Sequence, residues 1–99
     1  MHVLVTGAFG FVGRNLSRHL LAHGHRLLAL DVARQDLGAY AEFYTWEQLG
    51  GIDWARVDAV VHLAGKAHDI RNASDAQSYF DVNVGLTKKI VDASSGGWL

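Results

Sequence analysis

Three glycines spaced Gly7-x-x-Gly10-x-x-Gly13 sit between a short apolar run and a segment of helical periodicity, and this junction constrains the fold more than any other feature. The run from His2 to Thr6 is apolar on consecutive residues, which predicts a strand buried on both faces, as in a parallel sheet. A helix is predicted from about Phe11 to His23. Val12, Leu16 and Leu20 recur every four residues along it, and Arg14 and Arg18 fall on another face. Gly24 suits the left-handed position just past the helix, with His23 beside the exposed carbonyls of the last turn. Arg26-Leu27-Leu28-Ala29-Leu30-Asp31 then predicts a second buried strand with an acid at its carboxyl end. Strand, helix and strand in about thirty residues make a βαβ unit, whose crossover is right-handed in nearly all cases.

The remaining chain continues the alternation. Residues 32–40 are polar, contain Gly38 and read as a loop. Glu42-Phe43-Tyr44-Thr45 predicts a short third strand, and Trp46 to Trp54 a brief helical turn. Asp58-Ala59-Val60-Val61-His62-Leu63-Ala64 predicts a fourth strand, stopped at Gly65, with a polar loop over 66–73. Ser74-Asp75-Ala76-Gln77 has the form of a capping box and opens a long helix to about Ala93, with Phe80, Val84, Thr87 and Val91 along one stripe. No internal repeat, linker or low-complexity tract interrupts the 99 residues, so one α/β unit is expected.

The chemistry lies in the loop Gly7-Ala8-Phe9-Gly10-Phe11-Val12-Gly13. The first turn of a helix offers unpaired N–H groups and the positive end of the helix dipole, which together favour an anion such as a diphosphate. Gly7 permits the tight turn, Gly10 lets backbone approach phosphate without a Cβ, and Gly13 allows close packing of helix and strand. Asp31 can accept both ribose hydroxyl protons of an adenosine and would repel a 2′-phosphate, so NAD is the expected cofactor. Arg34 nearby could receive a 2′-phosphate, which leaves NADP as the lesser alternative. Lys66 follows the fourth strand on the carboxyl edge, where ligands of open parallel sheets bind. It is either a contact for substrate phosphate or the nicotinamide side, or a solvated loop residue.

Composition removes several function classes. Nine Lys and Arg against ten Asp and Glu give a net charge of −1, so the electrostatic warrant for nucleic acid or an anionic membrane surface is missing. The absence of Cys excludes disulfides, thiolate catalysis and Cys-type zinc sites. His62, His68 and Asp69 read as a strand histidine and a solvated loop rather than a metal site, and no metal is expected. No run reaches the roughly 18 apolar residues of a membrane helix and the start of the chain has no basic leader, so a cytoplasmic protein is expected.

The Gly-x-x-Gly-x-x-Gly spacing, together with three further segments, resembles the NAD-dependent epimerase/dehydratase branch of the extended short-chain dehydrogenase/reductase family, which includes UDP-sugar epimerases. Asp58 to Gly65 is similar to that family's fourth strand, whose end passes beside the ribose and nicotinamide of the cofactor; this implies Leu63, Ala64, Gly65 and Lys66 as cofactor contacts. Asp31 falls where the family places its ribose-binding acid. Tyr79-Phe80-Asp81-Val82-Asn83-Val84-Gly85-Leu86-Thr87 resembles its Asn-Val-x-Gly-Thr helix, which implies that Asn83 supports the active site. The likeness covers nearly the whole chain and implies a Rossmann-type NAD-binding α/β fold, a partial parallel sheet ordered 3-2-1-4 flanked by helices. Two departures stand out: the helix glycine, Gly85, comes one place early, and Tyr44-Thr45-Trp46 replaces the family's Gly-Asp-aliphatic adenine contact, with Trp46 as a stacking replacement.

The family's Tyr-x-x-x-Lys pair is not found. Four places after Tyr40, Tyr44 and Tyr79 come Tyr44, Gln48 and Asn83. The resemblance therefore implies that residues 1–99 are a truncated dinucleotide-binding domain, the front part of a nucleotide-sugar epimerase or dehydratase that works by transient hydride transfer to NAD. Alternatives are a non-catalytic dinucleotide-binding module or an inactive truncated gene product. The fourth strand would keep an open apolar edge, so pairing of two copies into a homodimer is expected.

Overall fold

The computed structural model describes residues 1–64 and 84–94. Met1–Leu63 and Ala64–Leu99 form two compact units. The first contains β1 (His2–Thr6), α1 (Phe11–Ala22), β2 (Arg26–Leu30), β3 (Glu42–Tyr44), 3-10 turns at Trp46–Gly51 and Trp54–Arg56, and β4 (Ala59–His62). All strand pairs are parallel, as the apolar runs predicted, and the order is β3-β2-β1-β4, as the family resemblance implied.

The two central strands are apolar on both faces for the expected reason. Val3 and Val5 face one side with Leu27 and Ala29, while Leu4, Leu28 and Leu30 alternate to the other, and all are at most 3% exposed. Burial of each large side chain stabilises the fold by roughly 1.5–3 kcal/mol. The outer strands are weaker: every residue of β3 and β4 is only half-buried. At the amino ends of β1 and β4, Asp58 accepts the His2 N–H at 2.7 Å and returns its own N–H to the His2 carbonyl at 2.8 Å. This double link sets β4 in register with β1.

α1 packs differently from its periodicity. Val12 is 58% exposed and Leu16 and Leu20 are half-buried, while Gly13 and Ser17 are the helix's buried residues. Of the expected Val12/Leu16/Leu20 stripe, Leu20 packs against the core and only Val12 turns outward, because the helix begins so close to the preceding loop that at its first turn only Gly13 fits beneath it. At its end, Gly24 adopts φ 85° and the His23 and Gly24 N–H groups cap the carbonyls of Leu20 and Leu21.

In the second unit, residues 84–93 are helical. Val84, Thr87 and Val91, read above as one stripe, are exposed; Ile90 and Ser94 are buried. Ser94 closes the helix by donating its hydroxyl to the Ile90 carbonyl at 2.7 Å. Among the described residues no helix is long and apolar enough to cross a membrane.

Candidate dinucleotide-binding site

The carboxyl ends of β1, β2 and β4 lie side by side, and the glycine loop rises from the middle one. Gly7 leaves β1 at φ 65°, a left-handed turn that a Cβ would strain, and its N–H bonds the Leu30 carbonyl at the end of β2 at 2.9 Å. The three glycines meet different demands. A Cβ on Gly13 would stand 2.5 Å from the Ala8 oxygen and 2.7 Å from the Gly7 oxygen, so this glycine admits the loop's own backbone rather than the strand. A Cβ on Gly10 would meet only the Gly7 oxygen, at 3.4 Å, an ordinary contact. Gly10 also has an unstrained φ of −71°. Among the described residues nothing calls for a glycine there, and the space a side chain would take is open.

That space lies at the start of α1. Gly10 is the N-cap residue, no side chain caps the helix, and its first turn holds no acidic residue. The opening N–H groups of a helix have no intrahelical acceptor, so this end is a positive pole that no side chain caps among the described residues. Phe11 is 85% exposed and Val12 58%, which leaves an apolar rim around it. The set fits a diphosphate in shape and in charge.

Asp31 follows β2 and faces the same loop. Its Oδ2 accepts the Phe9 N–H at 2.9 Å and its Oδ1 accepts the Val32 N–H at 2.8 Å. Each carboxylate oxygen has a second lone pair, so two hydroxyl donors can still be accepted. Within the loop expected to meet the diphosphate, the Phe9 N–H is held by Asp31, and the Ala8 N–H turns to the Leu30 carbonyl at 3.5 Å. The N–H groups at the helix start, Phe11 and Val12, are thus the loop's candidate donors. The Phe9 ring is a core anchor: it stacks on Phe43 at 5.6 Å, meets Tyr40 edge-on at 6.0 Å, and lies 5.1 Å under the Arg14 guanidinium.

Residues that the sequence did not single out complete the site. Arg14 reaches from α1 to the Asp36 carbonyl at 3.1 Å and to Gln35 Oε1 at 3.3 Å, strapping the loop after Asp31 to the helix. Tyr40, only 4% exposed, places its hydroxyl 3.0 Å from the carbonyls of both Ala8 and Gly13. Burial raises its pKa above the ordinary phenol value, so the proton stays available for donation. Tyr40 gave no signal in sequence beyond being an aromatic in a polar stretch. Arg34 is exposed and Trp46 half-buried, at the start of the 3-10 turn that Gln48 braces by accepting the Thr45 N–H at 2.8 Å.

On the β4 side, Thr6 accepts the Leu63 N–H on its hydroxyl at 3.0 Å, and His62 Nδ1 lies 2.6 Å from that same hydroxyl. Burial lowers the His62 pKa, which favours the neutral imidazole. Leu63 is 36% exposed and Ala64 half-buried. Gly65, Lys66, His68, Asp69 and Asn83 lie outside the described residues.

A profile of the NAD dependent epimerase/dehydratase family matches residues 3–96. The chain belongs to that family. It is 35% identical over 101 residues to a 3-beta-hydroxysteroid dehydrogenase of Mycolicibacterium neoaurum, covering 92% of this chain and 28% of the relative. It is 32% identical over 99 residues to the dTDP-6-deoxy-L-talose 4-dehydrogenase (NAD(P)(+)) of Kitasatospora kifunensis, covering 92% and 30%. Among solved structures, UDP-glucose 4-epimerase from Brucella ovis in complex with NAD superposes with a TM-score of 0.77 at 26% identity, over 93% of this chain and 31% of that one. The chain thus spans about a third of the length of these relatives. Family membership and fold agree: among the described residues the chain has the four-stranded parallel Rossmann-type sheet that the resemblance implied.

Proposed function

We propose that residues 1–99 form the dinucleotide-binding part of an NAD-dependent epimerase/dehydratase-like oxidoreductase whose substrate is a nucleotide sugar. Gly10 carries the reading: it is bare where the chain itself has no need of a bare residue, at an uncapped helix start beside a carboxylate already held in place. The helix start would hold the diphosphate through the N–H groups of Phe11 and Val12. Asp31 would accept the adenosine ribose hydroxyls and repel a 2′-phosphate, giving NAD preference over NADP. Thr6, through Leu63 and His62, holds the end of β4 next to the loop. Leu63 and Ala64 would border the nicotinamide side, with Gly65, Lys66 and Asn83 as proposed contributors. NAD, when bound, supplies a hydride acceptor for a substrate carbinol. The nucleotide-sugar class is supported by the names of the talose dehydrogenase and the glucose epimerase; the hydroxysteroid dehydrogenase makes a sterol the competing class.

Calorimetric titration of the chain with NAD, ADP-ribose and NADP tests this reading. NAD and ADP-ribose bind with similar affinity, NADP at least tenfold more weakly, and no sugar nucleotide is turned over by the chain alone. Absence of NAD and ADP-ribose binding refutes the reading.

A further inference from the structure

One peptide unit of the glycine loop is gripped from both edges. In the trans peptide between Ala8 and Phe9, the carbonyl and the N–H point in opposite directions. The carbonyl accepts from the buried Tyr40 hydroxyl at 3.0 Å, and the N–H donates to Asp31 Oδ2 at 2.9 Å. We propose that Tyr40 is a positioning residue for cofactor recognition: it holds the Ala8–Phe9 peptide so that Phe9 N–H aims the Asp31 carboxylate, and thereby sets discrimination between NAD and NADP.

Several observations converge on this arrangement. The Tyr40 hydroxyl lies equally close, at 3.0 Å, to the Gly13 carbonyl in the first turn of α1, so one buried phenol ties the loop to its helix. Its ring meets Phe9 edge-on, at 6.0 Å and 86°, which locates the same peptide from a third direction. The Asp31 carboxylate has its other oxygen fixed by the Val32 N–H at 2.8 Å. Its plane is therefore defined by two backbone donors, one of which exists in that orientation because Tyr40 holds the opposite edge of the peptide. Donation into a carbonyl also polarises the amide and strengthens donation from its N–H, so the two bonds reinforce each other. If the phenol proton is removed, the Ala8 carbonyl loses its inward partner and the peptide is free to rotate. Rotation takes the N–H from Asp31, and the carboxylate can then swing away from a 2′-phosphate it would otherwise repel.

The inference rests on the proposed dinucleotide site, and the test separates the two. The ligand-free readout is amide hydrogen exchange of Phe9 in the 99-residue chain; the second is the ratio of NAD to NADP affinity. In Tyr40→Phe, Phe9 exchanges at least about tenfold faster, as expected for loss of a hydrogen bond of ordinary strength. NAD affinity falls roughly five- to tenfold while NADP affinity changes little, so the ratio narrows. A purely structural role would weaken both cofactors equally and leave the ratio unchanged. In an Asp31→Asn background, Tyr40→Phe causes no further narrowing, because the charge it aims is gone. Should Tyr40→Phe not fold, Asp31→Ala tests the grip from its other edge, and Phe9 exchange rises there too. Unchanged Phe9 exchange in either folded variant overturns the proposal, as does an unchanged cofactor ratio in Tyr40→Phe. Failure of the wild-type chain to bind NAD overturns the functional reading itself, and the assignment of a cofactor role to Tyr40 with it.

Discussion

Gly10 and Gly13 occupy equivalent places in the motif, yet substitution should separate them cleanly. In Gly13→Ala the new Cβ would stand 2.5 Å, 2.7 Å and 2.9 Å from the Ala8 oxygen, the Gly7 oxygen and the Ala8 carbonyl carbon. All three are backbone atoms, so the loop itself must withdraw. Overpacking of this kind costs about 1–3 kcal/mol, and the better helix propensity of alanine offsets up to about 1 kcal/mol. The net loss of about 1–2 kcal/mol lowers the melting temperature of a domain this small by about 5–15 °C. Gly10→Ser behaves in the opposite way. Serine is favoured at an N-cap with φ −71° and ψ 171°, and the nearest atom to its Cβ is the Gly7 oxygen at 3.4 Å. Capping and reduced freedom of the unfolded chain together stabilise by about 0.5–1 kcal/mol. The added hydroxyl then takes the place of a phosphate oxygen, and NAD and ADP-ribose affinity falls about 10- to 100-fold. Circular dichroism melts and calorimetric titrations of both variants decide the matter. Wild-type affinity in Gly10→Ser, or a wild-type melting temperature in Gly13→Ala, would refute the division of roles.

Three further outcomes are expected. Glu42 binds Arg26 at 3.2 Å, Arg56 at 3.3 Å and the Tyr44 hydroxyl at 2.8 Å, and these partners, the Tyr44 hydrogen bond foremost, lower its pKa. Glu42→Gln therefore costs about 0.5–1 kcal/mol at neutral pH. Because the folded pKa is depressed, this difference is fully present above the ordinary carboxyl pKa and disappears in urea melts as pH falls through the folded value; a constant difference at all pH argues against the network. Burial holds the His62 pKa below its usual 6.5, so its contribution to stability is complete above pH 6.5 and declines as pH falls toward the folded value. His62→Gln flattens that part of the pH profile, and an unaltered profile would place the acid sensitivity elsewhere. Finally, β4 pairs with β1 on one side and with no strand on the other among the described residues. Self-association through that edge predicts a dimer of the 99-residue chain in light scattering; a monomer at millimolar concentration counts against it.

Local sequence was sufficient wherever an element's neighbours in sequence are also its neighbours in space. The apolar runs at 2–6 and 26–30 read as doubly buried strands and the glycines between as a tight junction, so the βαβ frame and the anion-facing helix start followed from the residues, while the strand order came from the family resemblance. The face that α1 buries followed only in part. Periodicity pointed to Val12, Leu16 and Leu20, of which Leu20 does pack on the core, whereas Val12 is exposed and the proximity of the Ala8 and Gly7 carbonyls puts Gly13 inward beside Ser17. Tyr40 and Arg14 were illegible for a related reason: each acts on backbone more than twenty residues away, and a polar loop sequence carries no record of where it returns.

What the amino-acid order determined alone is the βαβ frame, the position of the glycine loop and the presence of an acid at the end of β2. These depend on backbone permissiveness and on apolar periodicity, both local properties of the chain. Which loop N–H groups face outward, which one Asp31 retains, and which phenol holds the peptide between them were decided only by tertiary structure. A hydrogen bond depends on distance and direction, and these arise when β1, β2 and the segment containing Tyr40 close around the same few atoms.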